Sequence, residues 1–127
     1  RPYDDRLVPW WVEEGREGQF IHSTPYVRSI WMWKYMVRRC HEAFARLDPE
    51  ESQRVLTLRY EDLVRSPMEH GEAIVEFFGG EPTPALRKLL SQARTSSIGK
   101  HKRRDPAEIQ AAELIAGDEL TAYGYRT

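Results

Sequence analysis

The chain has one cysteine, no long apolar run and almost no net charge, and each shortage removes a class of protein. Cys40 alone cannot close an internal disulfide, which favours a reducing, cytoplasmic compartment over secretion. No stretch approaches the roughly 18–20 apolar residues of a membrane span and no signal peptide heads the chain, so no membrane partner is expected. Nineteen Lys and Arg against twenty Asp and Glu leave a formal net charge of -1. That argues against nucleic acid as a partner, while leaving room for a local basic patch. The phosphate-loop pattern G-x-x-x-x-G-K-S/T is missing, and so is any metal-ligand spacing. The histidines (His22, His41, His70, His101) are scattered, and none belongs to a defensible nucleophilic triad.

What is present reads as one globular domain. The 127 residues are 40% hydrophobic and 31% charged, with four Trp and six Tyr concentrated before residue 36. Residues 1–6 read as a loop, and residues 7–14 as one or two helical turns stopped by Gly15 and Gly18. Trp10 and Trp11 serve either as a hydrophobic anchor or as one wall of an acceptor pocket. Ser23-Thr24-Pro25 is a helix start, a hydroxyl cap followed by Pro at the first helical position. Behind it Val27, Ile30, Trp33, Val37, Cys40, Phe44 and Leu47 recur at steps of three and four, one apolar face of a long helix ending before Asp48-Pro49. Lys34, Arg38, Arg39 and Arg46 fall off that face and read as a solvated basic side. Cys40, inside the stripe, reads as core rather than nucleophile.

Residues 48–53 form a polar turn, and residues 54–59 (Arg-Val-Leu-Thr-Leu-Arg) are short, apolar and β-branched enough for a buried strand. Tyr60-Glu61-Asp62 follow at its outlet, where an open α/β sheet places ligands. Helices are expected after Pro67, stopped by Gly79-Gly80, after Thr83-Pro84, and after Asp105-Pro106. The last carries Ile109, Ala112, Leu114, Ile115, Leu120 and Tyr123. A lone buried strand leaves its backbone polar groups without partners. Either residues 18–22 supply a weak second strand or, as the reading favours, the rest of the sheet lies outside this chain. The start at Arg1 instead of Met also suggests a piece of something longer.

Residues 95–104 combine hydroxyls, Gly99 and the potential cations Lys100, His101, Lys102, Arg103 and Arg104 on a loop. Glycine amides and hydroxyls can line a phosphate nest, and Lys and Arg add charge. A solvated linker has the same composition. Tyr60 could stack on a base or simply close the strand end, and Glu61 and Asp62 read as a cap and ion-pair partners rather than catalysts.

The order VLTLRYEDLVRSP, IVEFFGG, ARTSSIGKHKRR and ELTAYGY resembles the carboxyl-terminal half of sulfotransferases that use 3′-phosphoadenosine 5′-phosphosulfate (PAPS), over roughly residues 48–125. The resemblance implies an α/β fold related to P-loop kinases, with this chain a mostly helical carboxyl-terminal part containing one clear strand. It implies in-line sulfuryl transfer from PAPS to a hydroxyl or amine on a small-molecule or glycan acceptor. Tyr60 would then lie near the adenine, and Ser96, Ser97, Ile98 and Gly99 would form the loop against the base. Ile98 would stand where many relatives keep an aromatic, and Lys100 and Arg103, with Lys102 or Arg104 less central, would reach the 3′-phosphate. The family's phosphosulfate loop, its Arg-and-Ser element for the 3′-phosphate and its usual catalytic His or acid precede this region. The piece alone is therefore expected not to transfer sulfate, with the missing amino-terminal half or another copy of the chain as its macromolecular partner. Two readings compete: a non-enzymatic helical module binding a partner through Trp10, Trp11, Trp31 and Trp33, and a related nucleotide kinase.

Overall fold

A computed structural model describes residues 1–125 as a mostly helical small protein, 62% helix, with seven α-helices and one short two-stranded antiparallel hairpin. The trace divides into two compact units: Arg1–Arg46 together with the chain from His101 onward, and the intervening Leu47–Lys100.

The first unit begins with the hairpin, β1 (Pro2–Tyr3) and β2 (Arg6–Leu7), where a loop was expected. Asp4 makes the turn at φ 51°, a left-handed conformation that Asp tolerates better than most residues. Residues 8–16 are turns, not the expected helix, and the helix comes later as α1 (Glu17–His22). That also disposes of residues 18–22 as a strand. Thr24 starts α2 (Pro25–Phe44) as its sequence implies, its hydroxyl accepting from the Val27 amide at 3.4 Å. Asp105 likewise caps α7 (Pro106–Ala122), accepting from the Ala107 amide at 2.8 Å.

α2 packs on α7, and their shared core holds Val8, Val12, Phe20, Val27, Trp31 and Ile115. The buried face of α2 is rotated from the expected stripe. Val27 and Trp31 are buried, while Cys40 is exposed and Phe44 is 45% exposed. On the Trp31 side, Lys34 turns inward to a carboxylate, and the half-exposed Arg38 reaches another. Lys34 bonds Glu13 at 2.8 Å, and the Arg38 Nε bonds the buried Glu119 at 2.8 Å. Arg38, Arg39 and Arg46 stay exposed, as the solvated basic side implies, and Lys34, its side chain 12% exposed, departs from it. α7 breaks at Ala116 (φ −125°, ψ 21°), which brings Ile115 and Ala116 both into the core and leaves Leu114 78% exposed. The Tyr123 hydroxyl ties the end of α7 to α2, donating to the Val37 carbonyl at 3.2 Å.

The second unit contains α3 (Pro49–Ser52), α4 (Tyr60–Arg65), α5 (Pro67–Phe77) and α6 (Pro84–Leu90). The polar turn at 48–53 is itself helical, because Asp48 and Glu51 form a reciprocal capping box. Gly79-Gly80 end α5 as expected. Gly79 takes φ +74°, and the two glycine amides donate to the Glu76 and Val75 carbonyls at 2.8 and 2.9 Å. Residues 55–59 are neither helix nor strand. Their sequence suits a strand, but a strand exists only with a ladder, and no neighbouring chain segment pairs with them among the described residues. Among the described residues the only sheet is the hairpin, so the expected α/β character reduces to a mostly helical architecture.

Candidate functional site

Within the second unit α4 lies against a 3₁₀ turn at Thr95–Ser97. Tyr60 is the first residue of α4 and is 53% exposed. Glu61 and Asp62 sit in the first turn of the helix, where negative charge complements the unpaired amides and the helix dipole. Asp62 also approaches Arg65 at 3.8 Å, one turn on, consistent with a scaffolding role.

The Thr95–Ser97 turn is closed by the Ile98 amide donating to the Thr95 carbonyl at 2.9 Å. Gly99 follows at φ +74°, a conformation a side chain would strain. The turn leaves Ser96, Ser97 and Lys100 exposed, and Ile98 and Gly99 half-buried. Among the described residues, the Ser96 and Ser97 hydroxyls, the Gly99 amide and the Lys100 ammonium have no hydrogen-bond or ion-pair partner. Hydroxyls, a glycine amide and one ammonium are a donor set suited to an anion. The second unit thus brings together Tyr60's helix and residues 96–100.

Arg103 belongs to the first unit, as do Lys102 and Arg104. Arg103 and Lys102 are exposed and unpaired among the described residues. Arg104 is engaged: its guanidinium covers the Tyr26 ring at 4.4 Å from the centroid and reaches Glu108 at 3.4 Å. Glu108 in turn accepts from the Thr24 hydroxyl at 2.5 Å. Arg104 therefore ties the start of α7 to the start of α2 and is not held out for a phosphate.

A polar cavity of about 360 Å³ in the first unit went unread in the sequence; its charged lining is Arg16, Lys34, Arg38, Glu113, Asp118 and Glu119. Its cations and carboxylates come from α2, α7 and the turn before α1, too far apart in sequence for spacing to signal them. Glu13 borders the same network. Burial works against its ionisation, but hydrogen bonds from Lys34 and the Trp31 indole outweigh it, so its carboxyl falls from 4.5 to about 2. Since Lys34 and Arg38 are already bonded to carboxylates, the cavity presents no excess of one sign.

Of the four tryptophans, Trp31 is core at 1% exposure and Trp11 and Trp33 pack against the core. Trp10 is 72% exposed and meets the Tyr35 ring edge-on at 5.4 Å. Among the described residues no helix is long and apolar enough to cross a membrane, and no His, Cys, Asp or Glu side chains group to hold a metal. Compared with known protein families, curated proteins and solved structures, the chain matches none.

Proposed function

We propose that this chain supplies the adenine and 3′-phosphate rim, and part of the acceptor side, of a PAPS-dependent sulfotransferase. Such an enzyme moves the sulfuryl group of PAPS in line to a hydroxyl or amine of a small molecule or glycan. The observation that carries the reading is the proximity of α4, which opens on Tyr60, to the Thr95–Ser97 turn. The resemblance assigns these two stretches, far apart in sequence, to one nucleotide, and the second unit holds them side by side. The uncommitted donors on residues 96–100 support it as well, since a dianionic phosphate takes Lys and backbone amides.

In this reading Tyr60 faces the base, Ser96, Ser97, Ile98 and Gly99 form the loop beside it, and Lys100 answers the 3′-phosphate. Glu61 and Asp62 stay structural, and no residue of the chain is assigned the catalytic base. Sulfuryl transfer by residues 1–127 alone is not expected, so PAPS-dependent product formation by this chain would contradict the division of labour.

The test is calorimetric titration with 3′,5′-ADP and with ATP. Selective binding of 3′,5′-ADP, weakened about tenfold or more in Lys100→Ala, supports the reading, since a hydrogen bond to a charged group contributes ~1.5–3 kcal/mol. Indifference to both nucleotides would remove it, and preference for ATP would favour a nucleotide kinase. The partner-binding module retains one outward indole, Trp10, because the other three serve the first unit's own core.

A further inference from the structure

We propose that the polar cavity of the first unit binds a free amino acid with an apolar side chain, held as its zwitterion. The cavity measures about 360 Å³, and small-molecule sites begin at roughly 300 Å³. One wall is cationic, with Arg16 from the turn before α1 and Lys34 and Arg38 one turn apart on α2. The other wall is α7, which contributes Glu113, Leu114 and Asp118.

The cations hold carboxylates already, but too few of them. Lys34 spends one ammonium N–H on Glu13 Oε1 at 2.8 Å, and Arg16 has that same oxygen, 4.0 Å away, as its counter-charge. The other Arg16 bonds go to the neutral amide oxygen of Gln19. Arg38 directs Nε and one terminal nitrogen at a single oxygen of Glu119, and its Nη1 has no bond among the described residues. Three cations (Arg16, Lys34, Arg38) against two carboxylates (Glu13, Glu119) leave one positive charge uncompensated, with N–H groups of Lys34 and Arg38 still unused.

On α7 the carboxylates of Glu113 and Asp118 have no hydrogen-bond or ion-pair partner among the described residues. Residues five apart in an unbroken helix stand about 140° apart around its axis. The break at Ala116 lies between these two, and both line the cavity. Among the described residues no three His, Cys, Asp or Glu side chains converge to hold a metal ion, so the cation that suits the pair is a broader organic ammonium. Unmatched charge of both signs on the two walls selects a molecule that carries both. Its carboxylate takes the spare N–H groups of Lys34 and Arg38, and its ammonium meets Glu113 and Asp118. Leu114, 78% exposed in the lining, gives the side chain an apolar surface to cover. This inference stands apart from the nucleotide reading, which uses the other unit.

The test titrates ¹⁵N-labelled protein with L-leucine and follows the Gly117 and Thr121 amides, which belong to the cavity lining. Both should shift with leucine. Isopentylamine, which is leucine without its carboxylate, and isocaproate, which is leucine without its ammonium, should each bind about tenfold or more weakly. Glu113→Gln with Asp118→Asn, at exposed and unpaired positions, should weaken leucine about tenfold, leave isocaproate no weaker, and keep the helical circular dichroism signal. No shift at millimolar leucine, or shifts that spare Gly117 and Thr121, overturns the proposal. Isopentylamine, isocaproate or glycine binding as tightly as leucine overturns it too.

Discussion

The Trp31 indole Nε1 donates to Glu13 Oε2 at 2.6 Å, while the other oxygen of that carboxylate accepts from Lys34 Nζ at 2.8 Å. One carboxylate thus satisfies the only polar atom of the largest fully buried side chain in the core and a Lys whose side chain is 12% exposed. Arg16 closes the other side, its guanidinium 4.5 Å from the Trp31 ring centroid. Removing Glu13 leaves an indole N–H and an ammonium unsatisfied. Glu13→Ala should destabilise the protein by about 1–3 kcal/mol, the usual cost of orphaned buried donors. Urea denaturation followed by Trp fluorescence measures it. A midpoint unchanged from wild type would show the carboxylate to be dispensable.

The same carboxylate gives a pH dependence. Its folded pKa, about 2, lies below the 4.5 of an unperturbed Glu, so between those values the unfolded chain binds more protons than the folded one. Stability from Glu13 is fully present above about pH 5 and is lost as pH falls toward 2. Because the side chain is 41% exposed, solvent screening limits that contribution to about 1 kcal/mol. Denaturation midpoints in Glu13→Gln should lose part of the wild-type slope across this window.

Gly71 and Leu90 set the α5–α6 contact. A Cβ on Gly71 would stand 2.5 Å from both Leu90 methyls and 3.0 Å from its Cγ. Alanine improves helix propensity at this interior position by ~1 kcal/mol, but overpacking costs about 1–3 kcal/mol, so Gly71→Ala should be neutral to destabilising and Gly71→Val clearly destabilising. Leu90→Ala should relieve part of the Gly71→Val cost, and a double-mutant cycle reads that coupling. Strictly additive effects would mean that the two residues do not meet.

Arg104 and Lys100 should separate stability from ligand binding. Arg104→Ala removes a stacking contact on Tyr26 and an ion pair with Glu108, together about 1 kcal/mol of stability, and should leave 3′,5′-ADP binding near wild type. Lys100→Ala, exposed and unpaired among the described residues, should do the reverse. Melting temperature and calorimetric affinity on the two variants decide between them.

What the sequence disclosed was local. Thr24-Pro25, Thr83-Pro84 and Asp105-Pro106 start helices because the cap and its target amide lie within three residues. Gly79-Gly80 end one for the same reason. The hairpin went unseen because strands of two residues, Pro2–Tyr3 and Arg6–Leu7, are too short to alternate. The rotation of α2 went unseen because it is set by Arg38 meeting Glu119 and Lys34 meeting Glu13, partners that periodicity within one helix does not register. Residues 54–59 carry the composition of a strand, yet strand formation is a property of two segments, and among the described residues none pairs with this one. At the candidate site the residue types and the glycine turn were legible in the sequence, but α4 (Tyr60–Arg65) was not, since a helix was expected only after Pro67. That Arg104 is committed to Tyr26 and Glu108 required the fold.

The central claim is that Tyr60 and residues 96–100 form one nucleotide rim, and amide shift mapping during titration with 3′,5′-ADP tests it most directly. Shifts at Tyr60 together with Ser96, Ser97, Ile98, Gly99 and Lys100, weaker with 5′-AMP that lacks the 3′-phosphate, are the expected result. Shifts confined to the polar cavity between α2 and α7, or none at saturating nucleotide, would contradict it.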